Sequence, residues 1–76
     1  MEEVFAELHN AYCNSAEGQT GVMICIVAIR YANEIINAQI SIKQLLEMAD
    51  VPYTYRTDIT RGLNLSKYVD LKPEFR

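Results

Sequence analysis

The sequence predicts an all-α domain of four helices, and three observations carry that prediction. Apolar residues recur at helical spacing in four segments, a Ser41-Ile42-Lys43-Gln44 pattern marks one helix start, and Pro52 marks a helix end. At 76 residues the chain is one domain (residues 1–76), since chains divide into several only at a few times this length. Hydrophobic residues make up 50%, enough to exclude disorder by composition. A chain this short buries only about 60% of its unfolded surface, so contact with a second copy is an expected further source of stability.

The first helix is expected over 3–13, where Val4, Phe5, Leu8, Ala11 and Tyr12 form one apolar stripe. A polar, glycine-bearing loop over 14–21 follows. The second helix is expected from Val22 to Ile36. Its first half, Val22 to Ile29, is apolar on every side, while Arg30, Asn33 and Glu34 then share one face opposite Ala28, Ala32, Ile35 and Ile36. An all-round apolar helix must be surrounded. Either it is the central core helix, or its spare face packs on a second copy, which makes helices one and two (within residues 1–40) the candidate homodimer interface.

The third helix starts at a capping box, with Ser41 accepting from the Gln44 backbone and Gln44 reaching back, and with Ile40 and Leu45 at the hydrophobic staple positions. It is expected to end at Val51, because Pro52 disfavours helical geometry in its predecessor. The fourth helix is expected over 53–64, with Tyr55, Ile59 and Leu63 as its buried stripe. Alternation over Lys67 to Leu71 suggests one short terminal strand.

The chemistry excludes several function classes. His9, Cys13 and Cys25 are too few for a structural zinc site, and there is no phosphate-binding glycine loop or acidic metal loop, so no metal and no cofactor is expected. His9 reads as a surface histidine with no nucleophile at usable spacing, and Glu2, Glu3 and Glu7 as a solvated acidic first turn. No titratable cluster supports an enzyme. The acidic N-terminus is unlike a signal peptide and the longest apolar run, Val22 to Ile29, is far shorter than a membrane span, so a cytoplasmic protein without a membrane partner is expected. Tyr31, Tyr53 and Tyr55 could serve the core or an interface.

Net charge is −3, but it is unevenly spread. Residues 1–50 hold two basic residues (Arg30, Lys43) against seven acidic ones, and residues 51–76 hold five basic (Arg56, Arg61, Lys67, Lys72, Arg76) against three acidic. That asymmetry suggests an anion-facing C-terminal surface, with scattered solvated charge as the alternative. Two short helices joined by a tight turn within residues 41–71 make a helix-turn-helix candidate. On the fourth helix Thr57, Thr60 and Arg61 point away from the buried stripe and Arg56 flanks them, while Thr54 lies near the helix start, where backbone N–H groups favour a phosphate.

The run Ile42-Lys43-Gln44-Leu45-Leu46-Glu47-Met48-Ala49-Asp50-Val51-Pro52 resembles the opening of winged helix-turn-helix transcription regulators. Tyr53 to Leu63 is similar to their recognition helix, Tyr68 to Leu71 falls where a first wing strand would begin, and Ala28 to Ala32 resembles the helix beneath the motif. The resemblance covers about residues 28–71. Leu46 stands where Ala is usual and Asp50 where Gly is usual. It implies a small regulator that reads double-stranded DNA with Thr54, Arg56, Thr57, Thr60, Arg61 and Lys67. The competing expectation is a non-enzymatic adaptor or inhibitor that binds another protein through its apolar N-terminal helices.

Overall fold

The computed structural model describes residues 1–75, and among them there are five α-helices and no strand. They are α1 (Glu2–Asn14), α2 (Thr20–Arg30), α3 (Ala32–Asn37), α4 (Ile42–Ala49) and α5 (Arg56–Leu65), with single 3-10 turns at Tyr53–Tyr55 and Pro73–Phe75. The core is built by Leu8 of α1, Ile24 of α2, Leu45 and Leu46 of α4 and Ile59 of α5, all essentially inaccessible to solvent. Val4, Leu8 and Ala11 line up at i, i+4 and i+7 on α1, which is why that helix docks by one face.

α2 packs against both α1 and α5. Its buried face is Ile24, Val27 and Ala28, and the following Tyr31 is buried too. The apolar run from Val22 to Ile29 is therefore largely absorbed within one chain. What remains is the opposite stripe, where Val22 is 53% exposed and Ile26 and Ile29 are half-buried. The small residues of α2 set its approach to α5. A β-carbon on Gly62 would stand 2.6 Å from both the Ala28 β-carbon and the Cys25 carbonyl oxygen, so only glycine allows the two helices to touch there. Burial pushes the Cys25 thiol pKa up, and the nearby Asp58 carboxylate adds to the effect.

Several expectations are corrected. The second helix is not continuous to Ile36: Tyr31 (φ −109°, ψ 19°) leaves helical geometry and separates α2 from α3, giving five helices where four were expected. The departure falls where Tyr31 turns its ring into the core and its hydroxyl donates to Glu3 Oε1 at 3.0 Å. Glu3 is thus tied across to the α2–α3 junction and is not merely a solvated acid of the first turn. The expected strand over Lys67 to Leu71 is absent: Ser66 to Tyr68 form a turn stabilised by Tyr68 N–H donating to the Leu65 carbonyl at 2.8 Å, and among the described residues no strand offers a ladder. The fourth helix begins as the 3-10 turn Tyr53–Tyr55 and becomes α-helical only at Arg56.

The capping box forms as expected. Gln44 N–H donates to Ser41 Oγ at 3.1 Å and Ser41 N–H reaches Gln44 Oε1 at 3.5 Å. α4 ends two residues before Val51, since Asp50 takes the left-handed conformation (φ 57°, ψ 47°) and Val51 N–H returns to the Leu46 carbonyl at 2.9 Å. This is a helix closure that glycine normally supplies, and a short polar side chain is the next best tolerated there. Leu46, larger than the usual alanine, is accommodated at 1% exposure. His9, exposed as expected, also ties α1 to this end of α4, its Nδ1 lying 3.1 Å from the Ala49 carbonyl oxygen. A carbonyl can only accept, so Nδ1 carries a proton, and in the neutral ring Nε2 is left to accept from the Cys13 thiol at 3.4 Å.

Candidate nucleic-acid interface

α4 and α5, joined by the Asp50 closure and the 3-10 turn, are the two helices of a helix-turn-helix, with α2 packed beneath α5. Between the start of α4 and the outward face of α5 lies an open groove of about 580 Å³. Arg56, Thr57, Thr60, Arg61 and Asn64 supply its polar lining, and Ile42, Tyr53 and Leu65 its apolar lining. Four of the six sequence-predicted residues, Arg56, Thr57, Thr60 and Arg61, are therefore brought together on one exposed surface. Thr54 sits in the 3-10 turn and Lys67 in the turn after α5, both exposed and both outside that lining.

The two cations are held rather than loose. The Arg56 guanidinium lies 5.0 Å from the centre of the Tyr53 ring, a cation–π contact that orders both side chains. Arg61 Nη1 lies 3.8 Å from Asp58 Oδ1, with the arginine side chain 62% exposed and the aspartate 23% exposed. An exposed pair of this kind adds little stability. Its consequence is position: the Asp58 carboxylate rests against the first turn of α2, about 3.1 Å from where a Gly21 β-carbon would stand, at a helix end that favours negative charge.

Thr60 differs from the expectation in one respect. Its Oγ1 donates to the Arg56 carbonyl at 2.9 Å, so its hydroxyl could donate to a phosphate only by giving up that bond. What it offers the groove is an acceptor and a methyl group.

Sequence reasoning missed Ile42, Tyr53, Asn64 and Leu65. The signal for Asn64 was present, because Thr57, Thr60, Arg61 and Asn64 fall at i, i+3, i+4 and i+7, a single helical stripe. Tyr53 had no such signal; it is 52% exposed, whereas Tyr31 is buried and Tyr55 half-buried against Tyr12, with ring centroids 5.7 Å apart. Among the described residues no group of three or more His, Cys, Asp and Glu side chains could hold a metal ion, and no helix is long and apolar enough to cross a membrane.

Neither a curated protein nor a solved structure matches the chain. A family model does, that of the HTH-like domain, over residues 1–72, and with nearly the whole fold inside that match the chain belongs to the HTH-like domain family.

Proposed function

We propose that this domain is a small, non-catalytic regulator of transcription that binds duplex DNA through the outward face of α5. One observation carries the reading: Arg56, Thr57, Arg61 and Asn64 converge on one open groove of a helix-turn-helix, with both guanidiniums exposed and held by neighbours. Arginine presents a pair of donors that matches the O6 and N7 acceptors of guanine, asparagine a donor and an acceptor that match N7 and the N6 amino group of adenine, and arginine also meets phosphate. Thr54 and Lys67, at the two ends of the groove-facing helix, contact the phosphate backbone in this reading. A homodimer would place two such helices on successive turns of the duplex. The stripe of Val22, Ile26 and Ile29, opposite the buried face of α2, is the surface proposed for it.

The same stripe favours a second reading, an adaptor that binds another protein there and never touches DNA. Titration of a fluorescent random-sequence duplex at low and at physiological salt separates the two. A DNA-binding domain shows affinity that falls steeply with salt, and an adaptor shows none at either concentration.

A further inference from the structure

The groove beside α5 has an apolar part as well as its two arginines. Ile42 enters from the first turn of α4 and Leu65, 38% exposed, closes the far end. Thr60 lies between the two arginines in sequence and has already given its hydroxyl proton to the Arg56 carbonyl at 2.9 Å. Phosphates offer only acceptors, so Ile42 has nothing to give the backbone of a duplex, and Thr60 could give its proton only by breaking the bond to Arg56. In the major groove one base presents a complementary apolar group, the C5-methyl of thymine, and aliphatic side chains and the threonine methyl are the groups that contact it. The flanking Arg56 and Arg61 supply the positive charge that holds a duplex against this surface.

We propose that the groove selects thymine through its C5-methyl group, with Ile42 and the methyl of Thr60 as the selecting contacts. The inference rests on the DNA reading above and adds base preference to it. Arg61 and Asn64 read hydrogen-bonding edges, whereas Ile42 and Thr60 read a methyl group, so the preferred site contains thymine at the base pairs those two side chains face.

The test uses the full chain and a duplex pool with a randomised centre. The tightest duplexes selected at low salt are resynthesised with each thymine replaced in turn by deoxyuridine, which removes the methyl group alone. At one or two positions the replacement should weaken binding about fourfold, the factor that burying one methylene-sized group is worth. Thr60→Ser keeps the hydroxyl and removes the methyl, and should abolish the thymine-to-uracil difference at one of those positions while leaving the melt unchanged. Ile42→Ala should abolish it at the other; because Ile42 also packs on the core, its melt is followed in parallel. Selected duplexes that bind equally with thymine or uracil everywhere overturn the inference while leaving the DNA reading standing. So does a Thr60→Ser protein, together with a folded Ile42→Ala protein, that discriminates as wild type does. If no duplex is enriched at low salt, the DNA reading itself falls and this inference with it.

Discussion

The α-carbon of Gly62 on α5 faces the methyl of Ala28 on α2, and a β-carbon added to Gly62 would stand 2.6 Å from that methyl. The same added atom would lie 2.6 Å from the Cys25 carbonyl oxygen. Neither obstacle can rotate away, since one is backbone and the other is the root of a side chain. Gly62→Ala must therefore push α5 off α2. Helix propensity alone favours alanine by about 1 kcal/mol, and overpacking of this kind costs about 1–3 kcal/mol. The packing cost should win, lowering the thermal midpoint by several degrees, since about 1 kcal/mol shifts a domain of this size by about 4–8 °C. An unchanged or raised midpoint would show that the contact between the helices is looser than described.

Ser41→Ala removes the hydroxyl that accepts from Gln44 N–H at 3.1 Å and should cost about 1 kcal/mol. Gln44→Ala should cost less, because its reciprocal bond to Ser41 N–H is long at 3.5 Å. Chemical denaturation of both variants reads the difference, and an inverted order would mean that the reciprocal half of the box carries the cap. Neither substitution touches the groove lining, so DNA affinity should stay as in wild type.

Local rules were legible in the sequence wherever one residue type has one physical use. The Ser41 to Gln44 box, the Val4, Leu8 and Ala11 part of the α1 stripe and the helix-turn-helix spacing were of that kind, whereas Tyr12 of that stripe is exposed and, of the stripe expected on the fourth helix, only Ile59 is fully buried, with Tyr55 and Leu63 half-buried. What was hidden depended on tertiary partners. Nothing in the order of residues says that Tyr31 will leave helical geometry to reach Glu3, or that His9 will meet the carbonyl of Ala49 forty positions away. Whether the apolar run from Val22 to Ile29 would be covered within one chain stayed open in the sequence because the approach of α5, set by Gly62, is a property of two helices at once. The alternation over Lys67 to Leu71 suggested a strand, but a strand needs a second strand to pair with, and there is none among the described residues.

Tyr31 gives the fold a pH dependence at the alkaline end. Its pKa is raised above the ordinary value by burial first, and then by the hydrogen bond its hydroxyl donates to Glu3. The folded chain therefore holds this proton more tightly than the unfolded one. The resulting stability is complete below about pH 10, the unfolded value, and is lost as pH rises through the higher folded value. Tyr31→Phe should cost about 1 kcal/mol at neutral pH, where a hydrogen bond to a solvated partner is lost. It should also flatten the decline in stability as pH rises above about 10. Urea denaturation of both proteins at neutral pH and across that range measures the two effects, and an equally steep alkaline decline in the variant would assign it to another group.

Arg61 and Asp58 make the most direct test of the interface. If Arg61 meets a base edge, Arg61→Ala should weaken binding to a selected site by about 1–3 kcal/mol and broaden the sequences accepted. Lys67, outside the groove lining, should act only through phosphate. Lys67→Ala should then weaken all duplexes alike and reduce the salt slope by about one unit. Asp58 separates position from charge. Its carboxylate lies 3.8 Å from Arg61 and rests against the first turn of α2, so Asp58→Asn removes a negative charge from the interface and releases the arginine together. Affinity for random duplex should rise, because one repulsive charge is gone, while the preference for the selected site over random duplex should fall, because Arg61 is no longer aimed. Titration of selected and random duplexes with the three variants at two salt concentrations reads both quantities. A rise in affinity with the preference intact would mean that Asp58 tunes charge alone and that Arg61 is aimed by the duplex it meets.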